Sequence, residues 1–521
     1  MTDAASTRLD LLTSWHAEWK GLRVAVLGLA QTGFSVADTL AELGADVLVV
    51  SEDAAQEYSR LVPVIGARLR LGDLGELTDE LVDFDPELVV ASPGFAPHHP
   101  LVQWTTERGL PLWGDVELAW RVRDKVPRAD GTPADWILVT GTNGKTTTTR
   151  LAATMIASAG MRAAPCGNIG VPVLDAVRDP AGFDVLVVEL SSHQLWYLSL
   201  SASAGQPQPA ASVCLNLADD HLEWHGSAAE YRRAKAGVYR NTRVACVYNK
   251  ADAATREMVE DAEVIEGARA IGFDLGVPGP SDLGLVEGIL VDRAFLAERR
   301  SSALEITTVE RLRRQGLGAP HIVANILAAA ALARAVGVAP AAIRDALESF
   351  RLDPHRIEVV AVHAGLTWVD DSKATNPHAA ASSLAAYPGA VWVVGGVLKG
   401  VDIAPLVRER GTGAKAAIVI GVERADVVDA FGRHAPAVPV FEVTADETED
   451  VMAQVVELAA GIASTGDTVL LAPAAASFDQ FGGYAERGAR FADAVRAHIQ
   501  TTWTGEGDGD IDADQAPPGS G

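Results

Sequence analysis

Seven consecutive residues, Gly141-Thr142-Asn143-Gly144-Lys145-Thr146-Thr147, combine two glycines, one lysine and a hydroxyl-bearing run. They follow an apolar stretch, Trp136 to Thr140, and open a helical pattern from Lys145 to Ala159. Backbone N–H groups at such a helix start, together with the helix dipole, form an anion site. The glycines let the main chain approach phosphate oxygens, Lys145 offers a point charge, and the Thr146 hydroxyl can ligate magnesium. The spacing departs from the common G-x-x-x-x-G-K-[ST] loop, because position 139 is Val rather than Gly. An ordinary glycine turn is the competing reading, and Gly-Lys-Thr at the helix start makes it the weaker one. Glu189 closes the next apolar strand, where an acid can reach a metal that bridges two phosphates. Alone it would read as a solvated strand end; beside the loop it reads as a magnesium ligand.

A second turn, Gly28-Leu29-Ala30-Gln31-Thr32-Gly33, also follows a strand and opens a helix. It is an imperfect dinucleotide fingerprint, with Ala30 in place of the second glycine. Glu52 and Asp53 lie at the distance expected of a ribose contact. Taken alone, this pattern suggests NAD or FAD.

These loops need α/β frames to hold them. Arg23 to Gly28, Asp46 to Val50 and Glu87 to Ala91 read as strands, with a helix from Gly33 to Leu43. After Gly114 the pattern restarts, with strands at Trp136–Thr140, Asp184–Glu189 and Ser212–Asn216 and an Ala-rich buried helix from His321 to Val336. A third unit begins near Leu352, with strands at Val391–Val394, Ala416–Ile420 and Thr468–Leu471 and a last helix from Tyr484 to His498. The fold class is α/β, with three domains in series. A Rossmann-like domain is expected over 1–112 and a phosphate-loop ATPase domain with a mostly parallel sheet over 113–351. A second Rossmann-like α/β domain is expected over 352–503, and the Gly-, Asp- and Pro-rich stretch 504–521 reads as a disordered acidic tail.

Composition narrows the function classes. The 521 residues carry a formal net charge of −26, which argues against general affinity for nucleic acid or anionic membranes. No apolar run is long enough to span a bilayer, and the first residues lack a secretory pattern, so a cytoplasmic protein is expected. Cys166, Cys214 and Cys246 are too scattered for a zinc cluster and read as small buried hydrophobes. Arginines number 35 and lysines only 8, so a lysine marks a position that needs a compact ammonium or a removable proton.

The Gly141–Thr147 loop resembles that of the Mur ligases and their folate-polyglutamylating relatives. Further motifs follow in the same order: Glu189 to Leu195; Asn216 with Asp219-Asp220-His221-Leu222-Glu223-Trp224-His225; Tyr231 to Lys235; His321 to Asn325; and Asp353 to Glu358. Asp371 to Asn376 and Ser477 to Phe481 resemble the D-glutamate-adding members in particular.

The resemblance implies an ATP-dependent ligase that joins D-glutamate to UDP-N-acetylmuramoyl-L-alanine through an acyl phosphate and a tetrahedral intermediate. This is a step of bacterial peptidoglycan precursor synthesis, carried out here by an expected monomer. It implies catalytic roles for Lys145, His221 and Lys235, the last as a carbamate, and a pair of magnesium ions on Thr146, Glu189, His221 and Lys235. ATP would be held by Gly141 to Thr147, by Asn325 at adenine, and by Arg356, Asp371 and Lys373. The UDP portion would lie against Gln31, Thr32, Gly33, Ser92, Pro93, Gly94 and Asn168. D-glutamate would meet Thr375, Lys399, Ser477 and Tyr484, the last where the family usually has Phe. Closure of the second and third domains over ATP is also implied. Ser51-Glu52-Asp53 departs from the family's usual Thr-Arg and bears on the uracil contact. His193 and His225 are read as structural or as part of the site. A helix–helix hydrogen bond stays open for Asn325, as do loop-capping roles for Thr375 and Ser477. The alternatives are another amide ligase of the same superfamily or a nucleotide-binding regulator that makes no bond.

Overall fold

The computed structural model describes residues 8–201, 203–445 and 448–505. Three sheets follow one another along the chain. The chain divides into two compact units, Met1–Arg351 with the first two sheets and Leu352–Gly521 with the third.

The first sheet has the order β3-β2-β1-β4-β5, formed by Arg68–Leu71, Asp46–Ala54, Arg23–Leu29, Leu88–Ala91 and Leu112–Gly114. All its pairings are parallel. The Arg23–Leu29 sequence, RVAVLGL, is buried from its second residue onward, as a strand covered on both faces requires. Helix Gln31–Glu42 begins two residues earlier than its pattern suggests, so Gln31 and Thr32 form its first turn. β2 runs past Val50 to Ala54 and carries Glu52 and Asp53 within the strand.

The second sheet has nine strands: β6 (Asp135–Thr140), β7 (Ala163–Gly167), β8 (Val185–Glu189), β9 (Ala211–Cys214), β10 (Ala245–Asn249), β11 (Arg269–Phe273), β12 (Asp282–Val286), β13 (Ile289–Asp292) and β14 (Leu304–Thr308). Their order is β14-β13-β12-β11-β10-β9-β6-β8-β7. β6 lies inside the sheet between β8 and β9, so the loop after it opens at the carboxyl ends of these parallel strands. β9 stops at Cys214, which leaves Asn216 in the following loop. The antiparallel ribbon β12–β14 has no counterpart in the sequence reading. Its tight turn uses Glu287 (φ 49°) and Gly288 (φ 80°), the paired left-handed residues of a hairpin. Helix Pro320–Ala335 buries Ile322, Val323 and Asn325 to Ala333 and packs on helix Lys145–Ser158, because alanines let the two axes approach. Proline at its first turn fits a position whose N–H has no partner within the helix.

Polar ties join the first two sheets. Arg178 contacts Asp38 and Glu42, and Ser35 donates to Asp175 at 2.6 Å. Buried Arg121 holds Glu117 and the carbonyls of Leu9 and Leu12.

The third sheet has the order β15-β16-β20-β17-β18-β19, from Glu358–His363, Leu366–Asp370, Thr468–Leu471, Val391–Gly395, Ala416–Ile420 and Val440–Glu442. Only the β15–β16 pair is antiparallel. The last helix, Tyr484–Gly505, continues past His498. The remainder of the expected acidic tail, 506–521, lies outside the described residues. No described helix is long and apolar enough to cross a membrane.

Candidate active site

β6 delivers the chain into Gly141 (φ 150°), and Gly144 (φ 83°) caps the helix Lys145–Ser158 in a left-handed conformation. A Cβ on Gly144 would stand 2.6 Å from the Asn325 Oδ1, so glycine is required here twice over, by backbone angle and by space. The loop is pinned from the far side by the chain after β9. Thr142 N–H donates to the Asn216 carbonyl at 3.0 Å, and the Asn143 N–H donates to Asn216 Oδ1 at 2.8 Å. Asn216 Nδ2 returns a bond to the Asn143 carbonyl at 3.1 Å. The Thr142 hydroxyl donates to the Ala218 carbonyl at 3.1 Å and lies 2.9 Å from the Tyr231 hydroxyl. Lys145 Nζ curls back onto the Gly141 and Thr142 carbonyls at 2.8 and 2.9 Å. Thr146 is half-buried and Thr147 buried.

Two ionisable groups sit beneath this loop. Lys235, 1% exposed, donates from Nζ to the Gly141 carbonyl at 2.8 Å and to Thr140 Oγ1 at 3.3 Å. Burial, followed by the nearby Lys145 charge, lowers its pKa to about 7. Glu189, also 1% exposed, accepts from Asn168 Nδ2 at 3.0 Å through Oε1. Its Oε2 is buried with no hydrogen-bond partner among the described residues. A buried carboxylate oxygen without a donor suits a divalent cation. The adjoining Ser191 and Gln194 form a reciprocal capping box, and Gln194 Nε2 donates to buried Asp115 at 2.9 Å.

His221 has φ 52° and lies 3.6 Å from the Asp220 carboxylate. Its ring meets that of His193 at 4.7 Å, and His193 stacks on Trp224 at 4.3 Å. His225 Nε2 lies 2.9 Å from the Ser192 hydroxyl. Burial, then the charges of His221 and Lys235, lower its pKa to about 4, so it is neutral near pH 7. That state suits a packing role.

The first sheet carries a cavity of about 380 Å³ lined by Gly28 to Ala30, Thr32, Ser51 to Asp53, Ser92 to Phe95 and His99. A Cβ on Gly33 would meet the Gly28 carbonyl at 2.1 Å, so the helix start lies directly on the turn. The Ser92 hydroxyl is buried with no hydrogen-bond partner among the described residues, and Gln31 Nε2 donates to the Gly170 carbonyl at 3.2 Å. The cavity rim continues to the histidines: Trp224 Nε1 donates to the Gly94 carbonyl at 3.4 Å, and the Tyr197 hydroxyl to the Phe95 carbonyl at 2.7 Å. Asn168, expected beside this cavity, has its amide on Glu189.

In the second unit, Asp371 is buried and accepts from Ser383 and from the Ile357 N–H at 3.2 Å. Burial raises its pKa to about 6. Arg356 lies 3.9 Å from Asp353, between His355 (φ 65°) and Ile357 (φ 49°). The Lys373 ammonium sits 3.6 Å above the Tyr484 ring. Ser477 is buried, Thr375 half-buried, and Lys399 exposed at φ 53°. Buried Arg487 ties these loops together, donating to the Ser372 hydroxyl and carbonyl at 2.9 Å and to the Ala475 carbonyl at 3.1 Å.

Residues 139–333 match the profile of the Mur ligase middle domain, and 355–475 match the Mur ligase, glutamate ligase domain. A curated UDP-N-acetylmuramoylalanine–D-glutamate ligase from Leifsonia xyli subsp. xyli is 60% identical over 99% of both chains. The chain belongs to the Mur ligase family. A second ligase of the same name, from Tropheryma whipplei, is 46% identical over 94% of this chain and 98% of its own. Among solved structures, the Mur ligase fold recurs in UDP-N-acetylmuramate-alanine ligase MurC from Thermotoga maritima, with a TM-score of 0.54 and 17% identity. It also recurs in a pseudomurein peptide ligase type C from Methanothermus fervidus, with a TM-score of 0.54 and 15% identity. Each alignment covers 91% of this chain and 99% of the other.

Several residues that shape this Mur ligase site carried no role in the sequence reading. Asn216 clamps the Gly141–Thr147 loop, and Asp252 and Asn249 in turn hold Leu217 N–H and the Leu215 carbonyl. Asp115, Ser383 and Arg487 are likewise structural hands on site residues. Their partners are distant in sequence, so spacing gave no signal.

Proposed function

We propose that this chain joins D-glutamate to UDP-N-acetylmuramoyl-L-alanine with hydrolysis of ATP to ADP and phosphate, in peptidoglycan precursor synthesis in the bacterial cytoplasm. The observation that carries this reading is the end-to-end 60% identity with a ligase of that name, joined to a loop that puts Lys145 and Lys235 on one carbonyl.

A carboxylate does not condense with an amine until one of its oxygens has become part of a leaving group. In the proposed reaction a carboxylate oxygen of the muramoyl peptide attacks the terminal phosphorus of ATP and ADP departs. The D-glutamate amine then adds to the acyl carbon, and the tetrahedral intermediate expels phosphate as the amide forms. Positioning and charge neutralisation supply most of the rate in such transfers. Gly141 to Thr147 are assigned to the ATP phosphates, with Lys145 as the point charge. Asn325, Arg356, Asp371 and Lys373 are assigned to the nucleotide on the motif resemblance. Gln31 to Gly33, Ser92 to Gly94 and Asn168 are assigned to the UDP moiety; the buried Ser92 hydroxyl, without a hydrogen-bond partner among the described residues, supports this. Thr375, Lys399, Ser477 and Tyr484 are assigned to D-glutamate. The domain division 1–112, 113–351 and 352–503 belongs to the same proposal.

Magnesium fits the donor set: Thr146 offers a hydroxyl, His221 an imidazole, and Glu189 a buried oxygen with no hydrogen-bond partner among the described residues. When bound, it neutralises phosphate charge. Lys235 would join that set as a carbamate. Its lowered pKa makes the unprotonated amine available near neutrality, and that amine adds to the carbon of carbon dioxide with loss of one proton.

The test is incubation with ATP, magnesium, UDP-N-acetylmuramoyl-L-alanine and a panel of amino acids, with products weighed by mass spectrometry. D-glutamate alone should add its mass less water, with one phosphate released per product. Addition of another amino acid instead, or phosphate release indifferent to both substrates, would overturn the proposal.

A further inference from the structure

Arg356 stands between two residues in the left-handed region, His355 at φ 65° and Ile357 at φ 49°. Neither is glycine, and a β-branched residue rarely adopts this conformation, so the surroundings must hold the turn. Two backbone ties run to the end of β16. The Ile357 N–H donates to Asp371 Oδ1 at 3.2 Å, and the Lys373 N–H donates to the His355 carbonyl at 3.1 Å. A third is local, from the His355 N–H to Glu358 Oε2 at 2.9 Å. The fourth joins two side chains: His355 Nδ1 lies 2.6 Å from Asp370 Oδ2.

Asp370 is 0% exposed, and a carboxylate so deep needs donors for both oxygens. The Ser372 N–H serves Oδ1 at 2.8 Å, and the imidazole serves Oδ2. An ionised carboxylate only accepts, so the ring proton belongs on Nδ1. Burial raises the Asp370 pKa, and the imidazole bond opposes that rise. The last helix, Tyr484–Gly505, closes over the pair. A Cβ on Gly488 would stand 2.3 Å from His355 Nδ1 and 2.6 Å from Asp370 Oδ2, so glycine makes room there. The imidazole is thus anchored on a buried strand end, and the residue that bears it leads directly into Arg356.

We propose that Asp370 is a positioning residue, which acts through His355 to hold the strained turn that presents the Arg356 guanidinium to the nucleotide. The inference rests on the assignment of Arg356 to ATP. Without the pair, the turn relaxes toward common backbone angles and the guanidinium moves with it.

The test is a double-mutant cycle on the full chain, read as ATP affinity by calorimetry in the presence of magnesium. Asp370→Ala and His355→Ala should each weaken ATP about tenfold or more in the wild-type background. Beside Arg356→Ala, each should cost less than about twofold, because the residue they act through is gone. His355→Asn should recover most of the loss, since its amide nitrogen can stand where Nδ1 stands and asparagine tolerates a left-handed backbone. If Asp370→Ala fails to fold, the half-buried His355 variants carry the same cycle. Losses that persist undiminished beside Arg356→Ala overturn the proposal, as does a His355→Asn no better than His355→Ala. Wild-type affinity in Arg356→Ala overturns the assignment of Arg356, and a wild type that does not bind ATP overturns the ligase reading itself.

Discussion

Lys145 and Lys235 donate to the same acceptor, the carbonyl oxygen of Gly141, each at 2.8 Å. Two ammonium groups so close cannot share one dipole without cost, and the buried one yields. The pKa of Lys235 falls to about 7, with desolvation the larger cause and Lys145 the next. One backbone oxygen thus couples the ammonium proposed for phosphate to the amine proposed to take up carbon dioxide.

Lys235→Ala should lose ligation and recover part of it when short carboxylates are supplied, because they can replace the carbamate oxygens. Stripping carbon dioxide from the buffer should slow the wild type. Steady-state phosphate release reads both, and an unaffected wild type in stripped buffer would argue that the amine acts unmodified.

Lys145→Ala should reduce ATP-dependent turnover by about 100-fold or more while the fold survives, since Lys145 is half-buried and packs no core. Far-ultraviolet circular dichroism with an activity assay separates the two. Wild-type turnover would remove Lys145 from the phosphate site.

Gly144→Ala should destabilise by about 1–2 kcal/mol and raise the KM for ATP. The new Cβ would meet Asn325 Oδ1 at 2.6 Å on a backbone of φ 83°. Combining it with Asn325→Ala removes the clash but not the left-handed angle, so denaturation should show only partial recovery. Full recovery would mean that the backbone angle costs nothing.

Asp115→Asn should stabilise the protein above pH 6 by on the order of 1–3 kcal/mol. Burial raises the folded pKa from 3.8 to about 6. Between those values the folded state holds more protons than the unfolded chain, so wild-type stability falls as pH rises through that window. The variant's advantage should therefore shrink from pH 6 down to pH 4. Urea melts at several pH values check it, and a pH-independent gain would contradict the shift.

Tyr484→Phe should leave the KM for D-glutamate within about twofold, since the ring beneath the Lys373 ammonium remains. Tyr484→Leu should raise it several-fold. A large effect of the Phe variant would instead assign the phenol hydroxyl to the substrate.

The strand-to-turn-to-helix logic of Gly141 to Lys145 was legible because every participant is within a few residues. So was the order of α/β units, since apolar runs recur at the spacing of parallel strands. The β12–β14 ribbon escaped notice because its strands are short, so alternation had little length in which to show. Asn168 donates to Glu189 because β7 and β8 are neighbours, a pairing that no local pattern encodes.

Sequence by itself determined the chemistry on offer: a phosphate loop, a lysine where this chain ordinarily uses arginine, an acid at a strand end, and their order along the chain. Residue type fixes what an atom can donate, accept or ligate, and that is written locally. Only the tertiary structure decided how those groups are tuned. Lys235 is buried under Gly141, Glu189 keeps one oxygen without a hydrogen-bond partner among the described residues, and Asn216 clamps a loop 73 residues before it. Proximity and desolvation arise when distant segments meet, and they set the proton affinities and the geometry on which this chemistry runs.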